Sequence, residues 1–327
     1  MTNPVSRSIV LPASITVFVP AKINLVLRIL DRRPDGYHNL WSLMQTVQLE
    51  DELALSLSNS HSTITLRCDE SSLKTDPSNL VYRAAAAVLE QSGQTVGLDM
   101  VLAKRIPMGA GLGGGSSDAA ATIIGLNRLL SLGWSREKMA HVGQALGSDV
   151  PFFFFAPSAI VEGRGEKVAP VRIKGNRWVV LVNPGFPVET KWAYQQLSVN
   201  RTGVQPLSDV HAGLGKASEL SWEEVLQAAE NDFEATVFKA HPVLHKIKQK
   251  LLAEGAETAL LSGSGATVFG VFRDETTARR AEIEFRTEPH VKVYTVSTPP
   301  LTPGRSGQAF HDRLLTDASN FRYSFTL

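Results

Sequence analysis

The sequence predicts an α+β fold in two domains, and three observations lead to that prediction. The chain has 327 residues, more than a single hydrophobic core usually serves. Short β-rich runs alternate with turn residues through about the first hundred residues, and a second mixture of strand and helix patterns begins after Pro170. Hydrophobic residues make up 43% and charged residues 20%, as in folded globular proteins. We therefore assign residues 1–170 to an N-terminal domain, 171–299 to a C-terminal domain and 300–327 to a polar tail.

Elements of the N-terminal domain follow from the spacing of apolar residues and from turn residues. Alternation predicts strands at 15–19, 23–29, 53–57, 63–67 and 98–104, the first of them within an apolar stretch at 9–21. Helical spacing predicts helices at 78–91, 116–131 and 135–146. The aromatic run 152–155 is interpreted as a further strand, and residues 163–166 have the composition of a hairpin turn.

The C-terminal domain has the same mixture of patterns. Strands are predicted at 178–182, 258–261, 267–272 and 291–296, and helices at 189–197, 222–238, 242–252 and 276–285. The segment 198–221 is rich in Gly, Ser and Asn and is interpreted as a surface loop.

The charge balance and the single cysteine narrow the classes of function. With 33 basic and 32 acidic residues the formal net charge is +1, so no global field attracts nucleic acid or an anionic membrane. No apolar run approaches the roughly 18 residues that a membrane-spanning helix needs. Cys68 alone excludes an internal disulfide framework and fits a reducing compartment. We expect a cytoplasmic protein that binds anions only through a local site.

A glycine-rich loop at 107–120, Pro-Met-Gly-Ala-Gly-Leu-Gly-Gly-Gly-Ser-Ser-Asp-Ala-Ala, is the strongest functional signal. Five of the seven residues from Gly109 to Gly115 are glycine, although each costs about 1 kcal/mol relative to alanine within a helix. Residues without Cβ let backbone N–H groups converge on an anion at the N-terminus of the following helix. Ser116, Ser117 and Asp118 are suited to cap that helix, and a serine hydroxyl there suits a phosphate oxygen or Mg²⁺.

Other interpretations of the loop are weaker. Gly109, Gly111 and Gly114 match the dinucleotide pattern G-x-G-x-x-G, but a second helix follows where that fold requires a strand ending in an acid. The pattern G-x-x-x-x-G-K-[ST] fails because no lysine precedes the serines. A flexible hinge seldom continues into a well-capped, alanine-rich helix. The interpretation that remains is a site for nucleotide phosphates that follows neither of these two patterns.

One face of the second predicted strand carries a candidate catalytic lysine. Residues 22, 24, 26 and 28 alternate with the apolar residues 23, 25, 27 and 29, so Lys22 and Asn24 share a polar face. Phosphoryl transfer requires charge neutralisation and a carboxylate that accepts the proton of the attacking hydroxyl. Asp149 lies in a short loop between Gly147 and Pro151 and is the candidate base.

Five motifs together resemble the GHMP kinases, the family that includes galactokinase, homoserine kinase and mevalonate kinase. They are residues 20–25 (Pro-Ala-Lys-Ile-Asn-Leu), 35–38 (Asp-Gly-Tyr-His), 107–120, 146–151 (Leu-Gly-Ser-Asp-Val-Pro) and 261–266 (Leu-Ser-Gly-Ser-Gly-Ala). The resemblance covers about residues 20–297, and the triple glycine before Ser116 is closer to the branch whose substrate carries a cytidine diphosphate group. It implies a two-domain GHMP kinase fold with a ribosomal-protein-like N-terminal domain.

The resemblance also implies an activity and a set of site residues. The branch uses ATP, escorted by Mg²⁺, to phosphorylate the 2-hydroxyl of 4-diphosphocytidyl-2-C-methyl-D-erythritol in the non-mevalonate isoprenoid pathway. Lys22 and Asp149 match its catalytic pair, and the loop 263–265 is expected against the phosphate loop. The implied substrate site comprises Asn24, Tyr37, His38, Thr190 and Tyr194. The implied nucleotide site comprises Asn79, Lys104, Pro107, Met108, Gly109, Ala110, Gly111, Leu112, Gly113, Gly114, Gly115, Ser116 and Ser117.

Two alternatives stay open at this point. A different GHMP kinase would phosphorylate a small alcohol such as mevalonate or homoserine. A protein of the same fold could instead sense a nucleotide or another ligand without catalysis, although the presence of both Lys22 and Asp149 disfavours a sensor. The sequence assigns no metal ligand and leaves open whether the protein is a monomer or a homodimer.

Overall fold

The computed structural model describes residues 14–58, 62–200, 203, 205–299 and 315–317. Within them the chain forms a large mixed sheet, a smaller antiparallel sheet and helices that pack on both, so the predicted α+β class is confirmed. The start of the predicted apolar stretch, residues 9–13, and most of the predicted tail lie outside the described residues. No helix in the described part of the chain combines the length and the apolar character needed to cross a membrane.

The large sheet is built on two long strands, β1 (Ser14–Arg32) and β2 (His38–Ser58), which pair antiparallel through almost their whole length. Its strand order is β10-β1-β2-β4-β3, with β14 also on β1, β5 also on β2, and β6 on β5. These further strands are β3 (Ile64–Cys68), β4 (Gly97–Ala103), β5 (Ser158–Gly163), β6 (Lys167–Pro170), β10 (Glu230–Asn231) and β14 (Leu315–Asp317).

The smaller sheet has the order β11-β12-β8-β13, and all of its pairs are antiparallel. Its strands are β8 (Trp178–Asn183), β11 (Thr258–Leu261), β12 (Val268–Phe272) and β13 (Lys292–Ser297), at or within two residues of their predicted bounds. A separate parallel pair joins β7 (Arg172–Ile173) to β9 (Glu219–Leu220). The predicted boundary near residue 170 stays a prediction, and β10 from the later part of the chain pairs with β1.

The helices begin where the sequence offers caps. The side chains of Asn79, Ser135, Ser221 and Asp274 each accept a hydrogen bond from a backbone N–H in the first turn of the helix that follows. The helices are α1 (Leu80–Ser92), α2 (Gly114–Leu129), α3 (Arg136–Gln144), α4 (Thr190–Asn200), α5 (Asp209–Leu214), α6 (Trp222–Ala228), α7 (Glu234–Ala240), α8 (Pro242–Ala253) and α9 (Glu275–Arg286).

Helix α2 packs closely on the centre of the large sheet, and Gly125 permits that approach. A Cβ at this position would lie 2.3 Å from Leu55 Cδ1 and 3.0 Å from Val17 Cγ2. Because the helix sits directly on β1 and β2, its N-terminus is held at a fixed place beside them. The glycine-rich loop that precedes α2 is therefore anchored at one end.

The predicted faces of β1 are correct only up to residue 24. The register with β2 shifts between Asn24 and Val26, so the alternation of the two faces is broken there. As a result Ile23 and Leu25 lie in one hydrophobic cluster, whereas Leu27 lies in the other and faces the same cavity as Lys22. The two strands predicted at 15–19 and 23–29 are also one continuous strand that passes through Pro20.

The predicted strand at 152–155 is wrong. The segment is a 3-10 helix, Pro151–Phe154, and all four of its residues are buried. Apolar periodicity does not separate a short buried strand from a short buried helix, and Pro151, with its fixed φ, suits the first turn of a helix.

The predicted helix at 222–238 is interrupted. After α6 the chain is extended at Ala229, pairs with β1 as β10, and then begins α7. The Asn231 side chain accepts a hydrogen bond from Phe233 N and donates to Leu261 O and Gly263 O at 2.7 and 2.8 Å. These distant partners, which no helical pattern contains, decide the break.

The predicted surface loop at 198–221 is partly regular. The Ser208 side chain caps α5 by accepting a hydrogen bond from His211 N, and β9 follows near its end. Residues 201, 202 and 204 lie outside the described residues. The Gly- and Ser-rich composition of this segment therefore did not indicate the capped six-residue helix α5.

Candidate active site

A cavity of about 760 Å³ lies between β1, the glycine-rich loop, the N-terminus of α1 and the loop that joins β11 to β12. Most of the predicted site residues line it. They are Lys22, Asn24, Asn79, Lys104, Pro107, Met108, Gly109, Ala110, Gly111, Leu112, Gly113, Gly114, Gly115, Ser116, Asp149, Thr190 and Tyr194. Ser117, Tyr37 and His38 are not part of this lining.

The glycine-rich loop needs glycine for two physical reasons. Gly109, Gly111 and Gly113 have φ values of 61°, 76° and 71°, which side chains other than glycine rarely adopt. A Cβ on Gly111 would also lie 2.0 Å from Ser262 O, and a Cβ on Gly113 would lie 2.8 Å from Lys22 Cγ. The loop is therefore pressed between β1 and the loop after β11, with its backbone against the cavity.

Helix α2 starts earlier than predicted, and its cap is glycine. Gly113 is the N-cap residue, and Ser116, Ser117 and Asp118 lie inside the helix rather than before it. The first backbone N–H groups of a helix have no intrahelical acceptor, and the helix dipole adds positive potential there. Ser117 is fully buried and its hydroxyl donates to Pro20 O at 2.7 Å, so of these two neighbouring serines it is Ser116 that lines the cavity.

The loop 263–265 lies against the glycine-rich loop, as expected from the resemblance. Ser262 Oγ donates to Gly111 O at 2.9 Å, and Thr267 N donates to Ala110 O at 3.2 Å. Asn231 Nδ2 donates a hydrogen bond to Gly263 O at 2.8 Å, which fixes the backbone of the loop 263–265. Sequence reasoning missed Asn231 because the residue fell within a predicted helix.

Lys22 and Asp149 meet in the cavity. Lys22 Nζ lies 3.3 Å from Asp149 Oδ2 and donates to Asn24 Oδ1 at 2.6 Å. The lysine side chain is 4% exposed and the aspartate side chain 30%, so the carboxylate is the more accessible member of the pair. Asn24 Nδ2 in turn donates to Ser42 Oγ at 2.9 Å, which fixes the amide, and Ser42 had no sequence signal.

A second charged group lies behind the glycine-rich loop. Lys104 Nζ donates to Asp118 Oδ2 at 2.8 Å and also to Asp51 Oδ2. Burial raises the pKa of Asp118 to about 7, aided by the charge of Asp51 and opposed by Lys104. Burial lowers the pKa of Lys104, but the two carboxylates outweigh that effect and raise it overall. Asp51 was overlooked because it lies in an acidic run that resembles a solvated strand end.

Removing the Asp118 charge is expected to change how stability depends on pH. The pKa of Asp118 is raised on folding, so the folded state binds more protons than the unfolded state, and stability falls as the pH rises towards 7. At about 1.4 kcal/mol per unit, the free energy of unfolding of the wild type should fall by about 2 kcal/mol relative to Asp118→Asn between pH 5 and 7. Urea denaturation at both values measures this. A difference that does not vary with pH would contradict it, and the partly exposed Asp99→Asn is the control.

Tyr194 and Thr190 line the cavity, and His38 stacks on Tyr194 from outside its lining. The His38 and Tyr194 rings stack with centroids 5.1 Å apart, and Phe233 packs edge-on against Tyr194. Burial raises the pKa of the Tyr194 hydroxyl, and burial with the Arg32 charge lowers that of His38. Thr190 Oγ1 lies 2.9 Å from Ser264 Oγ. His38 itself lines a neighbouring cavity of about 380 Å³.

Tyr37, from the predicted substrate site, lies outside the cavity lining, whereas Asn79, from the predicted nucleotide site, is part of it. Tyr37 is 52% exposed, and its ring is covered on one side by the guanidinium of Arg164 at 3.6 Å. Asn79 is the N-cap of α1, since its Oδ1 accepts a hydrogen bond from Val81 N at 2.8 Å, and the helix starts two residues later than predicted. Its Nδ2 donates to Lys74 O at 2.6 Å. The contacts of Asn79 and Lys104 with adenine stay predictions.

Comparison with known proteins identifies the family to which the chain belongs. The model of the GHMP kinases N terminal domain matches residues 79–156, and the model of the GHMP kinases C terminal domain matches residues 211–288. The chain is 44% identical over 262 residues to the 4-diphosphocytidyl-2-C-methyl-D-erythritol kinase of Syntrophotalea carbinolica, covering 80% of this chain and 91% of the relative. It is 42% identical over 268 residues to the enzyme of the same name from Geobacter metallireducens, covering 82% and 92%.

Solved structures show the same fold. A crystal structure of 4-(cytidine 5'-diphospho)-2C-methyl-D-erythritol kinase is 32% identical with a TM-score of 0.71, covering 87% of this chain and all of that one. Homoserine kinase from Cytophaga hutchinsonii has a TM-score of 0.69 at 19% identity, covering 91% and 98%. The second likeness concerns the fold alone.

Proposed function

This chain belongs to the GHMP kinase family, in its 4-diphosphocytidyl-2-C-methyl-D-erythritol kinase branch, and we propose that it transfers the γ-phosphoryl group of ATP to the 2-hydroxyl of that substrate. The products are ADP and the 2-phosphate, within the non-mevalonate route to isoprenoid precursors. The observation that carries the proposal is the contact between Lys22 and Asp149 in the same cavity as the glycine-rich loop.

The proposed chemistry assigns one role to each group. The backbone N–H groups of residues 109–116, at the N-terminus of α2, hold the phosphates of ATP, whereas the N–H of Ser117 already donates to Gly113 O. Asp149 accepts the proton of the substrate hydroxyl while the oxygen bonds to the γ-phosphorus and the bond to the bridging oxygen of ADP breaks. Lys22, held by Asn24, orients the carboxylate and neutralises charge that develops on the transferring group. Asn79 and Lys104 are assigned to the adenine end of the nucleotide.

Substrate recognition is assigned to the aromatic end of the cavity. We propose that the cytosine packs against the rings of Tyr37 and Tyr194, and that Nδ1 of His38 bonds to the edge of the base, since His38 Nε2 lies 3.0 Å from Ser198 Oγ. Thr190 and Asn24 face the remainder of the substrate from the lining of the larger cavity. These roles would separate this branch from kinases of smaller alcohols.

The oxygen donors at the cavity suit a magnesium ion carried by the nucleotide. Among the described residues no group of three His, Cys, Asp or Glu side chains could hold a metal by itself. Mg²⁺ is commonly held by substrate phosphates, water and one or two protein oxygens, and the Ser116 hydroxyl is such an oxygen because Ser117 is bonded to Pro20. When bound, the ion would neutralise phosphate charge. A cytoplasmic location and the choice between monomer and homodimer stay predictions.

The proposed function is tested by ADP release from purified protein with Mg-ATP. Separate reactions contain 4-diphosphocytidyl-2-C-methyl-D-erythritol, mevalonate or homoserine. Turnover with the cytidyl substrate alone is expected, because only that substrate offers a base to the aromatic rings. Turnover with mevalonate or homoserine instead would assign the protein to another branch. Binding of ATP without turnover of any of the three would favour a sensor.

A further inference from the structure

The hairpin turn 163–166 between β5 and β6 touches both the Tyr37 turn and the loop that carries Asp149. Its only signal in the sequence was that of an ordinary turn. In the structure the Arg164 guanidinium carbon lies 3.6 Å from the centroid of the Tyr37 ring, within stacking distance. Arg164 Nη1 also lies 3.9 Å from Asp35 Oδ2, in the turn that precedes Tyr37.

The turn 163–166 is held in place by close packing at Gly165 and by the side chain of Glu166. Gly165 has a φ of 118°, and a Cβ there would lie 2.2 Å from Ser148 O, so the turn packs directly on the residue before Asp149. The Glu166 carboxylate accepts a hydrogen bond from Arg164 N and lies 3.8 Å from Arg33 Nη1. Arg164 therefore projects from a turn that packs against the loop of the proposed catalytic aspartate.

Tyr37 by contrast has little else to hold its ring. Its backbone N–H donates to Asp35 Oδ1 at 3.1 Å, but half of its side chain is exposed, and a half-exposed ring ordinarily samples several rotamers. The guanidinium lies over one face of the ring, and the 52% exposure of Tyr37 agrees with a second face that is open to a ligand. A cation on one face restricts the ring without occupying the surface that a nucleobase would use.

We propose that Arg164 is a positioning residue for substrate recognition, which fixes the Tyr37 ring so that its open face receives the pyrimidine base of the substrate. The inference rests on the proposed function, since it needs Tyr37 to contact the cytosine. Arg164 acts through Tyr37 and takes no part in phosphoryl transfer. The planar guanidinium matters because a lysine carries the same charge but does not stack in the same way.

The test is a double-mutant cycle between Arg164→Ala and Tyr37→Ala, read in steady-state kinetics with the cytidyl substrate and ATP. Arg164→Ala is expected to raise KM for the cytidyl substrate about 3- to 10-fold, with kcat and the KM for ATP unchanged. In the Tyr37→Ala background the same change should have almost no further effect, because the ring through which Arg164 acts is gone. Arg164→Lys should recover less than half of the loss.

The remaining outcomes overturn the inference. Additive effects of the two substitutions would show that Arg164 does not act through Tyr37. Full recovery by Arg164→Lys would replace the positioning role with a simple charge contact. Arg279→Ala is the matched control and should leave KM unchanged, since its guanidinium also lies over an aromatic ring, that of Trp178 at 5.8 Å, but lines neither cavity. Thermal unfolding checks each variant. If the wild type itself does not turn over the cytidyl substrate, the proposed function fails, which is distinct from failure of the cycle.

Discussion

Replacing Asp149 with asparagine is expected to lower kcat about 10³-fold. Asparagine keeps the shape of the side chain and a hydrogen-bonding oxygen near Lys22, but it does not accept the proton of the substrate hydroxyl, and general base catalysis contributes about 10² to 10⁴. Steady-state ADP release measures the loss. Affinity for ADP, measured by titration calorimetry, should change less than about 3-fold, because the glycine-rich loop and the N-terminus of α2 are intact.

Asp99→Asn is the matched control for this prediction. Asp99 lies on β4, bonds to Thr65 and does not line the cavity, so the same chemical change should leave kcat near the wild-type value. A kcat for Asp149→Asn within 10-fold of the wild type would remove Asp149 from the role of base. Loss of ADP binding together with kcat would instead indicate that the loop has shifted.

Replacing Gly111 with alanine is expected to disrupt the nucleotide site and to destabilise the fold. The added Cβ would meet Ser262 O at 2.0 Å while the backbone holds a φ of 76°, so the glycine-rich loop and the loop after β11 must separate. We expect a loss of about 3 kcal/mol in the free energy of unfolding and a weakening of ADP binding by about 30-fold or more. Urea denaturation and calorimetry measure the two quantities.

Gly133→Ala is the control that separates the effect of backbone strain from the effect of the clash between the added Cβ and Ser262. Gly133 has a similar φ of 66°, but a Cβ there would meet no atom within 4 Å. This control should cost only about 1 kcal/mol and leave ADP affinity unchanged. If the two alanine variants behave alike in both measurements, the contact between the two loops has no energetic importance.

Much of the candidate site could be predicted from local sequence. Glycine spacing before a helix indicated an anion site, and strand alternation placed Lys22 beside Asn24, because both signals depend on residues a few positions apart. The pairing of Lys104 with Asp51 and Asp118 could not be predicted in this way. Asp51 and Lys104 are 53 positions apart, and neither has a local pattern that requires the other.

In the fold, too, the features that depend on nearby residues could be predicted and those that depend on distant residues could not. The strands of the smaller sheet and the helices capped by Asn79, Ser135 and Asp274 lie near their predicted bounds, since alternation and capping residues act over short spans. Periodicity failed where a distant partner competes for the backbone. Asn231 interrupts a helical pattern because its amide bonds to two carbonyl groups about 30 residues further along the chain.

The sequence by itself determined the class of fold, the family resemblance and the glycine-rich loop, and it led to the prediction of Lys22 and Asp149 as the catalytic pair. The tertiary structure alone decided that the Asp149 carboxylate meets Lys22 in the cavity, which of the two serines faces the cavity, and which residue covers Tyr37. Local patterns report how a short segment hydrogen-bonds and buries its own side chains. Burial and charge at a site depend on contacts between segments far apart, such as Ser262 with Gly111, and only the folded chain brings these together.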